Sequence, residues 1–574
     1  MLLPSPAMER IPSTNSGEKA RVIARVLPSL TDIAFLLPLA FIFMTLSGAR
    51  TLLGDGDTGW HIRTGEWILA NHRVPYTDMF SFSRPGEPWF AWEWLSDVVL
   101  AELHSAGGLA AVVFASIALI CVTSALIFRL IRRECGNSLV AIAVTLLATG
   151  GCAIHWLARP HLFTLLFLAI TLHVTTRAAE GRTKLLAWLV PLTLLWTNLH
   201  AGFFVIFLVF ACYVGGILLN AAMEPAAARR VLLLQSLKPW LLTAGACFAV
   251  TFLNPYGWQL HKHLAEYIAD PYQMKYIAEF QSINFHSPAV VCFEPLMAMA
   301  FFTAMWDARC RRFSDCLLAL GWLHMSLIAQ RNAPLFAIAA SPFIARGIVA
   351  LVEAASERST GVAGWIPQIA RSFRTSSAGF EQIDRLWRVH FASALPLLAI
   401  GLLLFAPRPA SARFMSTYDP AAYPEKAIPA LLSPETRHIF ADDEWGDYLV
   451  FSLYPSKRVF IDGRSDFYGD DFGERYVDLL NVKYGWEKTL ARYDIDTILL
   501  SPRTALASTL KISRDWRVAY DDGVAVIFRR VAQSPEQVSP VSSNGGKARD
   551  RATAKQSLVT AGSLNPQSTG GHTK

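Results

Sequence analysis

The stretch "IAFLLPLAFIFMTLSGARTLLGDGDTGWHIRTGEWILANHRVP", Ile33 to Pro75, decides what kind of protein this is. Its first part, up to Leu46, is an apolar run interrupted by Pro38. Its second part places Asp55, Asp57, His61, Arg63 and Glu66 directly behind that run. Charge at the end of a hydrophobic segment is either an ordinary wet loop or a chemical site at a membrane surface. The rest of the chain chooses between them.

Of the 574 residues, 53% are hydrophobic and only 17% charged, whereas a soluble domain has about a quarter of its residues charged. The mean hydropathy is +0.33. Apolar runs recur from Ile33 to Pro407, and a bilayer-crossing helix needs roughly 20 such residues. The composition excludes a soluble globular enzyme. It predicts an α-helical polytopic membrane protein with about eleven transmembrane helices. Their centres fall near Leu37, Ile117, Thr145, Leu168, Val190, Phe210, Cys247, Met299, Leu320, Ala340 and Leu398. The net charge of +7 is explained by cytoplasmic anchoring charges and gives no reason to expect a nucleic-acid partner. The residues before the first apolar run ("MERIPSTNSGEKARVIARV") are polar and basic, so that run reads as an uncleaved span. The cysteines are scattered, end at Cys316 and show no metal-binding spacing.

Lys and Arg orient the bundle. Alternate connections are basic: Arg10 to Arg25, Arg129 to Arg133, Arg177 to Lys184, Arg229 to Lys238, Arg309 to Arg312, and Arg358 to Arg388. By the positive-inside rule these face the cytoplasm. Residues 1–29 then form a cytoplasmic N-terminal segment, and 30–407 form the bundle, with a long outer loop at 54–109. The chain after it lies outside. There, 413–530 alternates β-like runs ("HIFA", "RVFIDGR", "DTILLS", "AVIFRR") with helical ones ("EWGDYLVFSLY", "WEKTLARYD"), which predicts a small extracytoplasmic α/β domain. Residues 531–574 are rich in Ser, Gly, Gln and Lys and are expected to be disordered.

The two faces differ in chemistry. Cytoplasmic connections carry mainly Arg and Lys, whereas outer ones carry mixed functional groups. Besides Asp55, Asp57, His61 and Glu66, these are Glu93 in the tryptophan-rich "EPWFAWEWLSDVVLAEL" and His155, Arg159 and His161 in "HWLARPH". Asn198 and His200 lie in "WTNLHAGF", Asn254 and Tyr256 in "NPYGW", and Arg331 and Asn332 in "AQRNAP". Singly, each has a bland reading: a turn, an interfacial anchor or a packed histidine. Together they are expected to converge on one outer cavity. Asp57 and His61 share a helix face. That spacing suits a divalent metal ion, a carboxylate–imidazole bond, or Asp57 as a helix cap. The tryptophans predict that both amphipathic pieces of the outer loop lie flat on the membrane surface.

Through "GDGDTGWHIRTGEWIL", supported by "LARPH", "NLHAGF" and "NPYG", the chain resembles the GT-C superfamily of membrane glycosyltransferases. It looks most like bacterial members that use polyprenyl-phosphate-linked sugars, of the protein mannosyltransferase and aminoarabinose transferase type. The resemblance implies a multi-pass enzyme of the bacterial inner (plasma) membrane. It would move a sugar, with inversion, from a polyprenyl-phosphate donor lying among membrane lipids to an extracytoplasmic glycan, lipid or protein. It also implies a catalytic acid just after the first span, which falls on Asp57 or Asp55. Many relatives have an adjacent Asp-Glu pair there, whereas here Gly56 separates the acids.

The chemistry fits these residue types. A carboxylate takes the acceptor proton. Arg159 and Arg331 hold the departing phosphate through their forked donors, with His155, His161 or His200 as hydrogen-bond donors. His61, Glu66, Glu93, Asn198, Asn254, Tyr256 and Asn332 support the substrates. A Mg or Mn ion on Asp57 and His61 would assist, although the sequence does not require one. In the outer domain, Trp445, Asp462, Arg464, Asp466 and Tyr468 suit either sugar binding or a charge-paired turn. The competing classes are a multi-span transporter or lipid flippase, and a non-catalytic envelope-assembly scaffold. Spans largely free of Asp, Glu, Lys and Arg weigh against ion-coupled transport.

Overall fold

In a bilayer an apolar run has only its own backbone to satisfy its amides, so it folds as a helix. The computed structural model describes residues 28–357, 364–384, 391–409 and 411–531. Most of the expected cytoplasmic segment and the expected disordered tail lie outside the described residues. The first helix, α1 (Leu30–Ala40), opens on a capping box: the Asp32 N–H donates to Ser29 Oγ at 3.2 Å, and the Ser29 N–H donates to Asp32 at 2.9 Å. Then follow α2 (Asp57–Asn71), α3 (Trp94–Cys135), α4 (Ser138–Cys152), α5 (His161–Ala179), α6 (Leu189–Leu199) and α7 (Val205–Ala222). The bundle is completed by α8 (Ala227–Val250), α9 (Gln259–Ala269), α10 (Phe293–Arg309), α11 (Phe313–Ile328), α12 (Ala333–Glu357), α13 (Trp365–Asp384) and α14 (Phe391–Leu404).

Among the described residues, seven helical segments are long and apolar enough to cross a membrane, and Leu30–Thr45, Phe313–Ile328 and Ser393–Leu404 are shorter apolar helices. Every span centre read from the sequence falls on one of these or on α6. The 42-residue α3 joins two helices across non-helical Gly107 and Gly108. Gly108 has φ +62°, and a Cβ on Gly107 would press into the Phe405 ring. The N-terminal part of α3 is thereby redirected from its long apolar part.

The C-terminal region, 413–530, carries a four-stranded sheet in the order β1 (Ile439–Phe440), β2 (Thr497–Leu500), β4 (Val526–Arg530), β3 (Trp516–Asp521). β1 and β2 are parallel and the other pairs antiparallel, with Ile498 opposite Phe528. The helices α15 (Asp443–Leu453) and α16 (Asp470–Leu480) cover it. The run "RVFIDGR" is not a strand, because only Val459 bridges, to Ser81 and Ile439. Val459 and Phe460 exchange backbone bonds with Phe80, Phe82 and Ile439, and side chains hold the rest: the Gly463 N–H donates to Asp447, and Arg464 is buried between Asp462 and Asp78, each at 2.7 Å.

The helix α2 keeps little free surface. It is packed between the N-terminal part of α3 and α15, with Asp57, Trp60, His61, Ile62 and Thr64 buried and only its last two residues, Ala70 and Asn71, exposed. Glycines make this approach close. A Cβ on Gly65 would collide with the Asp97 carbonyl, one on Gly59 would lie 2.6 Å from Phe451 Cβ, and one on Gly56 would lie 2.7 Å from Asp447 Cβ. The tryptophans expected at the membrane interface turn inward here: Trp60 and Trp89 are buried and meet edge to face.

Candidate active site

Arg159 organises the site. It precedes Pro160 in the turn that opens α5, which points its side chain under the start of α2. Its Nη2 lies 2.5 Å from Asp57 Oδ2, and its Nη1 lies 2.9 Å from Asp55 Oδ2 and 2.8 Å from Glu279 Oε1. Asp57 does not cap α2 but is its first residue, and its N–H donates to Asp55 Oδ1 at 2.8 Å. Trp60 Nε1 donates to Asp57 Oδ1 at 3.0 Å. Burial pushes the Asp55 carboxyl up to about 6 against the pull of Arg159.

Glu279 is the third acid on these cations. His155 Nε2 is 3.8 Å from it and Arg331 Nη1 4.0 Å. Burial raises the Glu279 carboxyl, but Arg159, His155 and Arg331 outweigh that and hold it well below the usual carboxylate range. Arg331 also donates to the Tyr267 hydroxyl at 3.2 Å and stacks on Phe280.

A second polar chain lies beside the first. His61 Nδ1 is 2.6 Å from Asp97 Oδ1, and its Nε2 is 3.5 Å from Glu93 Oε2. On the other side of Glu93, Oε1 is 3.3 Å from His200 Nε2. His200 Nδ1 accepts the Gly202 N–H at 2.9 Å and meets Thr164 Oγ1 at 2.7 Å. Burial lowers the His200 imidazole to about 3, with Arg331 and Arg159 adding to the effect.

These groups open into one cavity of about 350 Å³. One side is polar. The other is apolar, with Val205, Leu208, Leu264, Ile268, Met325 and Ile328. The C-terminal region supplies part of the wall through Gly463 to Asp466. Gly463 has to be glycine, because a Cβ there would collide with Asp57 Oδ1 and lie 2.5 Å from Asp447 Oδ2. Burial, with Asp57 and Asp462 nearby, raises the Asp447 carboxyl well above its ordinary value. Asp466 closes the seam by bonding His263 of α9 at 2.9 Å.

Of the residues singled out in the sequence, Asp57, His61, Glu93, His155, Arg159, His161, His200, Arg331 and Asn332 line the cavity. Asp55 holds Arg159 without lining it. Four others have structural work elsewhere. Glu66 pairs with Arg63 at 2.6 Å and His104 at 3.4 Å, a turn further along α2. Asn198 accepts from Trp94 Nε1 and donates to Leu194 and Leu253. Asn254 closes its own turn through Thr251 and Gly257. The Tyr256 hydroxyl ties Ala91 to Pro75. Trp445, Asp462 and Tyr468 are likewise buried in packing and ion pairs.

Sequence reasoning missed Glu279, Asp97, Asp447 and Gly463. Asp97 was legible, since it follows Glu93 by one helical turn. Glu279 lies in an irregular stretch ("IAEFQS") with no periodicity to mark it.

The residues do not fit a metal ion at Asp57 and His61. Asp57 faces a guanidinium where an ion would sit, and His61 turns its nitrogens to Asp97 and Glu93. Among the described residues no group of three or more His, Cys, Asp or Glu is placed to hold one.

No protein-family model and no curated protein matches the chain, whereas solved structures do. The Archaeoglobus fulgidus oligosaccharyltransferase tethered to an acceptor peptide containing the NVT sequon aligns at 12% identity with a TM-score of 0.52, over 82% of this chain and 68% of that one. The archaeal oligosaccharyltransferase AglB from A. fulgidus, in complex with an inhibitory peptide and a dolichol-phosphate, aligns at 11% identity and a TM-score of 0.49, over 85% and 70%. ArnT from Cupriavidus metallidurans bound to undecaprenyl phosphate aligns at 15% identity and a TM-score of 0.44, over 87% and 98%. At such identities the likeness is one of fold alone: the chain shares the fold of the A. fulgidus oligosaccharyltransferase.

Proposed function

We propose that this chain is a glycosyltransferase that moves a sugar from a polyprenyl-phosphate-linked donor to an extracytoplasmic glycan, lipid or protein. One observation carries the reading: the guanidiniums of Arg159 and Arg331 and the Asp57 carboxylate share a cavity whose other wall is apolar. Forked guanidinium donors suit a phosphate, and Glu279 sits where that phosphate would be held. Ile268 and Ile328 belong to the apolar wall and are about half exposed. Such a wall suits an isoprenoid chain entering from the bilayer.

Asp57 is the base, because it faces the cavity whereas Asp55 only holds Arg159. It takes the acceptor proton while the acceptor oxygen attacks the sugar carbon from the side opposite the phosphate. The configuration inverts, and the phosphate leaves onto the arginines. No step needs a metal ion. The cavity is at the bundle ends remote from the basic connections, so it faces outward if those connections are cytoplasmic. On this reading α1, the spanning part of α3, α4 to α8, α10 to α12 and α14 all cross a bacterial plasma membrane, with the outer domain extracytoplasmic.

The test is turnover by the purified protein in detergent with polyprenyl-phosphate sugars. Asp57→Asn should lower kcat by about 10²- to 10⁴-fold, and Asp55→Asn by less. Full turnover in both variants would overturn the proposal.

A further inference from the structure

We propose that Glu93, His61 and His200 form the subsite that reads the donor sugar, through hydrogen bonds to hydroxyls on neighbouring ring carbons. The proposal rests on the function proposed above and names the part of the donor that these three residues meet.

Three buried side chains here keep hydrogen-bonding atoms that the fold leaves unused. Glu93 is 8% exposed, His61 1% and His200 9%, and all three line the cavity with Asp57, Arg159 and Arg331. His61 Nε2 lies 3.5 Å from Glu93 Oε2, and His200 Nε2 lies 3.3 Å from Glu93 Oε1. Neither contact has the geometry of a hydrogen bond. Among the described residues, the two Glu93 oxygens and the two Nε2 atoms have no hydrogen bond; each ring bonds only through Nδ1. Buried polar groups are ordinarily bonded, and an exception needs a cause. The other acids of the site are bonded, since Asp55, Asp57 and Glu279 all pair with Arg159.

Loose packing is not the cause, because the far edge of each ring is fixed. His61 Nδ1 is 2.6 Å from Asp97 Oδ1, and Trp60 stacks on the ring at 3.7 Å. His200 Nδ1 accepts the Gly202 N–H at 2.9 Å and meets Thr164 Oγ1 at 2.7 Å. Thr164 Oγ1 is itself held by Trp196 Nε1–H at 2.9 Å. The approach depends on Gly202, where a Cβ would lie 2.5 Å from Thr164 Oγ1 and 2.7 Å from His200 Nδ1. Asp97, Thr164 and Gly202 are thus positioning residues. They turn both Nε2 atoms toward the Glu93 carboxyl, one on each side of it, and rings locked in this way make a preorganised binding site.

The chemistry of the unused atoms selects the ligand. Because His200 Nδ1 accepts the Gly202 N–H, the neutral ring carries its hydrogen on Nε2, which donates. The Glu93 carboxyl accepts, and burial pushes it up to about 8, so that it also donates when protonated. His61 Nε2 takes either part according to its tautomer. A hydroxyl both donates and accepts through one oxygen, so hydroxyls satisfy every one of these atoms. The two oxygens of a carboxyl suit a pair of hydroxyls on adjacent carbons. A phosphate, which mainly accepts, belongs on Arg159 and Arg331 instead. The sugar then lies between the arginines that hold its phosphate and the carboxyl and imidazoles that hold its hydroxyls, with Asp57 on the same cavity.

The experiment uses the full chain in detergent with undecaprenyl-phosphate-linked mannose, glucose, galactose and arabinose, an envelope extract as acceptor, and release of undecaprenyl phosphate as the readout. The sugar with the highest kcat/KM is compared with its singly deoxygenated analogues in wild type and in Glu93→Ala. The intrinsic reactivity of each donor cancels between the two enzymes. In wild type, removing either of two adjacent hydroxyls should lower kcat/KM by about 10- to 100-fold, the range for hydrogen bonds to a charged group. In Glu93→Ala the parent sugar should be slow and that penalty should disappear, while penalties at other positions persist. An equal loss on the parent and on every analogue marks a merely structural role and overturns the proposal, as does a wild type indifferent to every deoxygenation. If Glu93→Ala is not monodisperse, Glu93→Gln, which keeps the side-chain shape, is read on the same donors. Its penalty at those two hydroxyls should fall as well, and an unchanged penalty overturns the proposal. If wild type releases no undecaprenyl phosphate from any of the sugars, the proposed function fails and takes this subsite with it. If wild type turns over and only the deoxygenation comparison fails, the subsite alone is lost.

Discussion

Glu279 carries more of the site's electrostatics than its place in an irregular loop suggests. It pairs with Arg159 and Arg331, and on the proposed function it competes with the donor phosphate for them. Glu279→Gln should therefore bind undecaprenyl phosphate more tightly, by about fivefold for ~1 kcal/mol of relieved competition, as read by titration in native mass spectrometry. The same residue affects stability in acid. Its carboxyl titrates lower in the folded chain than in the unfolded one, so its contribution is full above the unfolded value of about 4.3 and is lost as pH falls below it. The fall in melting temperature from pH 6 to pH 3 should be shallower in Glu279→Gln than in wild type. Arg159 is tested differently. It reaches Asp55, Asp57 and Glu279 through separate arms of one fork, which a lysine point charge does not reproduce. Arg159→Lys should lower kcat/KM by about 10- to 100-fold, in the range of lost charge-assisted bonds.

At the scale of elements, α2 shows how glycine spacing sets a packing distance. Its helical periodicity and its acids are plain in "GDGDTGWHIRTGEWIL". Its surroundings are not, and the tryptophans suggest a membrane surface where the fold supplies α3 and α15. The reason is Gly65, which lets the α2 backbone meet the Asp97 carbonyl, and this contact brings His61 within reach of Asp97. Gly65→Ala should force the helices apart, cost about 1–3 kcal/mol as overpacking, and lower the melting temperature in detergent. Gly245 in α8 is the control. A Cβ there meets nothing within 4 Å, so Gly245→Ala should leave the melting temperature unchanged or slightly higher.

At the scale of the whole molecule, the C-terminal α/β region walls the cavity rather than standing apart from it. The sequence shows a separate α/β segment, yet its Gly463 lies against Asp57 and its Asp466 bonds α9. Gly463→Ala should cut turnover severely, because its Cβ would press on Asp57, and should also lower the melting temperature, because it would press on the buried Asp447 of α15. Unchanged turnover would show that the contact with Asp57 does not set the site. The sequence by itself determined the membrane class, the helix centres, the alternation of basic connections and the outer loop that bears the acids. Those features depend on composition, transfer free energy and short periodicities, all local to the chain. Only the tertiary structure decided that Asp57 pairs with Arg159, that His61 turns to Asp97 and Glu93, that Glu66, Asn198, Asn254 and Tyr256 serve packing, and that Glu279 and Gly463 complete the site. Each of those outcomes is a contact between a side chain and an element distant in sequence. It is set by where helices cross and how closely glycines let them approach, and no local pattern records that.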